Sequence, residues 1–301
     1  MSFYAVIKKN AKIALKGRWG AAAGAFAFVL GVALLLAVVE QTFLRVFVPP
    51  PFPADIGQVI DYAYFLQLLL SYSLAELFVT AMALTLFLLL FAPLILGLTR
   101  WFYLLIQEER PVFLDIFYFF ENARRYGRSV WYLVQLCLRA FGWGVVFLSL
   151  PGGLMSICVR FLRIETLSRQ AGAAASAGVV LALGLFLLMA LLYAIYLSKY
   201  SLAAYLLCES DEISVREAFR TSIQYTRGYR GVKFLFTLSF IGWYLLLPIT
   251  FFLALLFVVP YHSAGKAVFA RYLVEKNRYR EPQITRQFGG PVQSKTAEGR
   301  L

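Results

Sequence analysis

Residues Leu77–Thr99 read LFVTAMALTLFLLLFAPLILGLT, an apolar run without a single charged side chain. A helix rises 1.5 Å per residue, and a bilayer core is about 30 Å thick, so about 20 such residues cross it. Four more uncharged runs accompany it: Trp19–Val39, Ala140–Val159, Gln170–Ser198 and Phe234–Gly265. In hydrocarbon a chain must satisfy its own backbone hydrogen bonds, and a helix does so within one segment. The sequence therefore reads as all-α, a polytopic transmembrane helical bundle.

Composition supports that reading. Hydrophobic residues are 61% of the 301, against about 45–50% in soluble domains. Charged residues are 15% and gather between the apolar runs. A net charge of +13 would suggest nucleic acid in a soluble protein, but no motif for such binding is present. Lys and Arg collect on the cytoplasmic flanks of membrane helices and are attracted by anionic headgroups. A bilayer with anionic headgroups is the expected partner, and nucleic acid is not. Met1–Arg18 is basic and amphipathic, and the run after it is too long for a signal peptide. Cys137, Cys158 and Cys208 lie far apart in or beside apolar segments, which suits neither a disulfide framework nor a zinc site.

The charges orient the helices. Lys8, Lys9, Lys12, Lys16 and Arg18 precede the first run, whereas Pro49–Asp61 holds no Lys or Arg. Positive charge stays inside, so the N-terminus is cytoplasmic and the proline loop is outside. Arg100–Arg128 and Glu209–Lys233 are basic and inside, which leaves Arg160–Arg169 outside. The last uncharged run holds Pro248 near its middle, where a helix kinks or stops. Read as two short helices, it brings the count to six crossings, at about 19–44, 74–106, 130–159, 176–207, 232–247 and 249–274. Both termini are then cytoplasmic, in a plasma-membrane protein. Five crossings with a kinked last helix is the alternative. Residues 1–18 form a basic amphipathic helix, 19–280 one transmembrane domain, and 281–301, rich in Gln, Gly, Pro, Ser and Thr, a disordered tail.

Two inner segments read as amphipathic cytoplasmic helices. Ser214-Val-Arg-Glu217 is a capping box opening a helix that carries Phe219 and Ile223. Pro111–Arg128 has Phe113, Ile116, Phe117 and Phe120 before Arg124, Arg125 and Arg128. Helices of this kind lie in the headgroup layer. A unit also recurs. Lys16-Gly-Arg-Trp-Gly20, Arg125-Tyr-Gly-Arg-Ser129 and Arg227-Gly-Tyr-Arg-Gly231 open alternate helices, and Tyr103, Tyr205 and Tyr272 with following aliphatics and an acid close the others. The pattern suggests three hairpins, each entered through a basic surface helix and a glycine turn. Convergence of membrane-interface sequences on Arg, Gly and Tyr gives the same pattern without repetition.

These residues resemble a family of bacterial integral-membrane proteins of unknown function. The likeness rests on Leu15–Gly20 (LKGRWG), Ser239-Phe-Ile-Gly-Trp243, Pro260-Tyr261 with Ala267-Val-Phe269, Pro151-Gly152, and the acidic turn leading into a Ser-x-x-Glu-Ala helix at Glu209–Ala218. The segment Arg160–Ala190 is longer than the family pattern. The resemblance implies a membrane protein and supplies no activity. The family is distantly similar to the membrane domain fused to some glycerophosphodiester phosphodiesterases, which has no catalytic residues of its own.

Catalytic patterns are missing from the sequence. His262 is the only histidine, so no HExxH or His-pair metal site exists, and it reads as a polar residue at a helix end. No GxSxG element and no Walker loop occur, and no enzyme activity or cofactor is expected. Candidate headgroup contacts are Lys16, Arg18, Arg124, Arg125, Arg128, Arg227 and Arg230. Arg139 is the candidate intramembrane polar site: a buried charge there is costly and functional by default, unless the crossing begins at Ala140 and the side chain snorkels. Glu76, near the outer end of the second helix, is badly placed to pair with it. Gly20…Gly24, Gly142/Gly144, Gly172…Ser176 and Gly178…Ala182 allow close helix approach, within the chain or between copies. The expected function is a non-enzymatic membrane scaffold or interaction protein engaging anionic lipid or partner membrane proteins. The alternative is a small permease for an apolar or amphipathic substrate, with Pro151-Gly152-Gly153 and Pro248 as helix breaks.

Overall fold

Ile7, Ala11 and Leu15 recur every fourth residue, so a helix places all three on one side. That helix is α1 (Phe3–Leu15), and the three side chains are buried. The computed structural model describes residues 3–47, 74–107, 109–162, 169–250 and 252–288. The following elements are α2 (Trp19–Phe47), α3 (Leu74–Ile106), a 3-10 helix (Phe113–Phe120), α4 (Ala123–Leu162), α5 (Arg169–Leu197), a 3-10 turn (Ser198–Tyr200), α6 (Ala203–Glu209), α7 (Val215–Tyr225), α8 (Arg230–Leu238), α9 (Ile241–Tyr244) and α10 (Leu255–Phe288). No strand occurs among the described residues.

Among the described residues, four helices are long and apolar enough to cross a membrane: Trp19–Phe43, Phe78–Ile106, Ala123–Arg160 and Ser176–Glu209. The fold is thus all-helical with the apolar helices of a membrane protein. Residues 232–247, expected as one helix, are divided between α8, α9 and turns. Pro248 lacks an N–H and its ring clashes with the carbonyl four residues back, and Phe252 takes a left-handed φ of 63°. The expected hinge is therefore a broken segment, and α10 starts only at Leu255. At its other end α10 runs to Phe288, past the expected start of the tail at 281. Residues 289–301, the proline loop and residues 163–168 lie outside the described residues.

Two further expectations change. Pro111–Arg128 is not one surface helix. Its aromatic part is the 3-10 helix, capped where Val112 N–H donates to Asp115 Oδ2 at 2.7 Å, and its basic part is the start of α4. α4 also continues through Pro151-Gly152-Gly153 without a break. The capping serine is present at α7: Glu217 N–H donates to Ser214 Oγ at 3.2 Å.

α4 and α5 pair along their length. Gly144 faces the Tyr193 hydroxyl, Gly178 faces Cys158 Sγ, and Tyr193 donates to the Ala140 carbonyl at 2.7 Å. Contacts that move down one helix as they move up the other make the pair antiparallel. Gly20 and Gly24 have open space around them. The buried core sits at one end of the molecule, where α1, the last turns of α3, the 3-10 helix, the first turns of α4, α6, α7 and α10 meet. Trp101, Phe102, Phe119, Phe219, Phe236 and Phe240 are fully buried there. We call this end the base.

Candidate functional site

The cations at the base fall into two groups. The first is clamped. Asp211, in the α6–α7 turn, accepts from Arg125 Nε at 2.8 Å, from Tyr118 Oη at 2.9 Å and from Arg128 Nη1 at 3.3 Å. Arg128 Nη2 also donates to the Ser210 and Ile213 carbonyls, both at 2.8 Å. The Tyr118 ring lies between Arg100 and Arg125, with the guanidinium carbons 3.7 and 4.0 Å from its centre. Burial works against the Asp211 carboxylate. The hydrogen bonds from Arg125 and Tyr118 and the charges of Arg125 and Arg128 outweigh it and hold its pKa below the ordinary value of 3.8. One carboxylate thus ties the 3-10 helix, α4 and the α6–α7 turn together, and the Tyr118 ring carries the contact on to Arg100 of α3.

A similar clasp closes the ends of α3, α6 and α10. Arg271 donates to the Ile106 carbonyl at 2.6 Å and to Glu275 at 2.7 Å. Arg278 pairs with Glu209, which also accepts from Tyr103 Oη at 3.4 Å. The rings of Tyr103 and Tyr205 stand 5.6 Å apart, so two of the three repeated tyrosine ends meet at the base. Two of the three glycine turns also share a shape: Gly17 and Gly228 have φ of 76° and 85°, a region that favours glycine. Gly127 instead lies inside α4.

The second group has no acid partner among the described residues. Lys8, Lys9, Lys12 and Lys16 line a groove of about 630 Å³ along α1, closed by Trp19 and Tyr261. No carboxylate lines it. Lys9, Lys12 and Lys16 are exposed. Lys12 Nζ lies 5.8 Å from the Tyr261 ring centre, and Trp19 packs beside Tyr261 at 6.1 Å. Lys8 is partly committed, donating to the Ser239 carbonyl at 3.1 Å. Ammonium groups over apolar and aromatic stems suit an anionic headgroup whose chains enter the bilayer.

The residues singled out from the sequence divide between the two groups. Lys16 lies in the groove. Arg18 donates to the Glu109 carbonyl at 2.9 Å, and Arg125 and Arg128 are engaged by Asp211. Arg124 and Arg227 are exposed, and Arg230 keeps a buried Nε without a partner. Arg139 bonds Gln135 Oε1 at 2.7 Å, and its guanidinium lies 4.1 Å from the Phe219 ring centre. Phe219 belongs to α7 in the basal core, so Arg139 stands at the base, before the uncharged stretch of α4. The side chain of Glu76 lies outside the described residues. Sequence reasoning passed over Lys8, Lys9, Lys12, Trp19 and Tyr261 as site residues. The spacing of Lys8, Lys12 and Lys16, four residues apart on one face, was the available sign. Lys199, at the inner end of its helix, is 7% exposed and sits 3.3 Å from the Tyr196 ring centre, with Trp143 and Tyr200 nearby.

No group of His, Cys, Asp or Glu among the described residues is arranged to hold a metal ion. No curated protein and no solved structure matches the chain. A family described as protein of unknown function (DUF975) matches residues 4–277, nearly the whole chain, and the protein belongs to that family.

Proposed function

We propose that this chain is a non-enzymatic plasma-membrane protein, scaffold or interaction partner in kind, that engages anionic lipid headgroups through the α1 groove. The observation that carries the reading is the groove's lining: four lysines, two aromatic rings and no carboxylate. Each cation near an anionic leaflet contributes about 1 kcal/mol, a gain that fades beyond a Debye length. Arg124 and Arg227, exposed on other basal elements, extend the same charge. An acidic face of a partner membrane protein would satisfy the same groups. The positive-inside rule supports a cytoplasmic orientation for the cation-rich base.

One observation favours permeation of an amphipathic molecule as the second reading. The broken segment between α8 and α10, with Phe252 in a left-handed conformation, is the kind of interruption that lines transporter sites. The uninterrupted path of α4 through Pro151-Gly152-Gly153 removes the other expected break.

Native mass spectrometry of protein extracted gently from its own membrane tests the two. The expected result is retained anionic phospholipid, lost in a Lys9→Gln, Lys12→Gln, Lys16→Gln variant and at high salt. A retained non-lipid molecule that stays in that variant and leaves in Arg139→Ala overturns the groove reading in favour of transport.

A further inference from the structure

His262 is 4% exposed within α10, not the helix-end polar residue expected from sequence. Its Nδ1 lies 2.7 Å from Tyr244 Oη. Its Nε2 is buried and has no partner. A buried polar atom left unpaired costs about 1–3 kcal/mol, so such an atom calls for an explanation.

The charged groups around the ring are all cations. Lys266, Lys233 and Lys8 lie within electrostatic reach of the imidazole, and Lys233 and Lys266 within reach of each other. Lys8 is occupied by the Ser239 carbonyl and the Phe240 ring, 4.7 Å away. Lys233 and Lys266 have no hydrogen bond, ion pair or ring contact among the described residues. The backbone explains why they converge. A Cβ on Gly265 would stand 2.6 Å from the Phe236 ring, so α8 and α10 meet there. Phe240 stacks on His262 at 4.6 Å. Lys233 is one turn before Phe236 on α8, and Lys266 is one turn after His262 on α10, so both flank this seam.

Two neighbouring ammonium groups without a counter-charge repel, and an anion between them would relieve that repulsion. The tautomer in which Tyr244 donates to Nδ1 carries the ring proton on Nε2, which supplies the missing donor for such an anion. We propose that Lys233, Lys266 and His262 form a binding site for a phosphate-type oxyanion at the α8–α10 seam, behind α1. Phosphate oxygens take short, charge-assisted bonds from ammonium groups. Tyr261, next to His262, packs beside Trp19 at the start of α2, so the seam is level with the entry to the first apolar helix. A phospholipid headgroup and a free phosphate both present the required group there. The site shares none of these three residues with the α1 groove and does not rest on it.

Because the chain has a single histidine, histidine-selective isotope labelling gives one imidazole signal in the full-length protein. The measurement is nitrogen NMR of that ring in maltoside detergent, which carries no phosphate. Inorganic phosphate is titrated in one arm and short-chain phosphatidylglycerol in the other. The expected result is a saturable shift of a protonated Nε2. A shift with inorganic phosphate assigns the site to the free ion, and a shift with the lipid alone assigns it to a headgroup. Lys233→Gln with Lys266→Gln is expected to weaken the response at least about tenfold, or about 1.4 kcal/mol. Lys266→Arg, which keeps charge and donors and guards against misfolding of the neutral pair, is expected to retain it. No shift with either titrant, a ring protonated on Nδ1 when phosphate is present, or a response untouched in the double Gln variant overturns the proposal. The Lys9, Lys12, Lys16 variant is expected to keep the shift while losing groove-bound lipid, so the two readings fail separately.

Discussion

The base and the far halves of α2–α5 are built on different principles. At the base, aromatic side chains from seven elements are buried together, and arginines from α4 and α10 are tied to acids or carbonyls. Away from it, only 17%, 22%, 11% and 6% of the residues in the most apolar windows of the four long helices are buried. Leu35, Phe78, Phe141, Leu181 and Leu187 are among the exposed apolar side chains there. Lipid tails are as apolar as leucine, so these positions gain little from packing on protein. Beyond the α4–α5 seam, the far halves present apolar side chains outward, as spans in a bilayer would, whereas the base is held by specific contacts among many elements. Shape is therefore decided at the base, which is also where the free cations stand.

The sharpest way to break this contrast is a methyl group at Gly97. A Cβ there would overlap the backbone of Ile116, so the 3-10 helix must move and Phe119 with it. Gly97→Ala is expected to cost at least about 3 kcal/mol and to yield little monodisperse protein by size-exclusion chromatography. Gly184→Ala, in the far part of α5 with open space around it, is the control, and is expected to be neutral or stabilising by up to about 1 kcal/mol.

Asp211→Asn comes next. It leaves Arg128, whose side chain is 12% exposed, without its ion pair. Asp211 is 38% exposed, so solvent screening limits the expected loss to about 1–2 kcal/mol. The pH dependence has a definite sign. The folded pKa lies below the ordinary 3.8, so this stabilisation is present above that value and is lost as pH falls through the folded pKa. Thermal melting of the natural chain is expected to drop below about pH 4, and the Asn variant to show a smaller acid-induced drop. An unchanged acid profile in Asp211→Asn would remove this carboxylate from the account of the base.

The glycine turns give a smaller effect that sharpens the repeat. Gly17 and Gly228 are left-handed, so Ala at either is expected to cost about 1–2 kcal/mol. Gly127 sits in the first turns of α4 with open space around it, and Gly127→Ala is expected to be neutral or mildly stabilising. Equal losses at all three, measured by thermal unfolding in detergent, would mean that the third copy turns as the others do.

What could be read in advance follows the same division. A lipid-facing helix carries its environment in its composition, so α2–α5 were legible from uncharged runs such as Leu77–Thr99. α1 was legible from its period and α7 from Ser214 and Glu217. The base was not, because its contacts join residues far apart in sequence: Arg128 and Asp211 are separated by 83 positions. Arg125 and Arg128 look like headgroup contacts until that acid is placed beside them. In the run Phe234–Gly265 Pro248 marked a hinge, but no charge marked the earlier interruption at Ser239–Phe240 or the burial of His262. Lys8, Lys12 and Lys16 were legible as a face of α1, but Trp19 and Tyr261 complete the groove only in three dimensions.

The smallest expected effect tests the other side of the comparison. Leu181, on α5, is 75% exposed. In a soluble protein a leucine that exposed would gain by becoming polar, and in a packed core its truncation would cost about 2–5 kcal/mol. Facing lipid it should do neither. Leu181→Ala is expected to change stability by less than about 0.5 kcal/mol, because hydrocarbon fills the space the side chain leaves. The same should hold for Leu187→Ala, 60% exposed on the same helix. A loss comparable to that of Asp211→Asn, measured by thermal unfolding in nanodiscs, would show that this face is covered by protein rather than by lipid. A second copy of the chain would be the first candidate, and cross-linking across α5 would identify it. A null result leaves the far halves as lipid-supported spans and places the chain's specific recognition at the base.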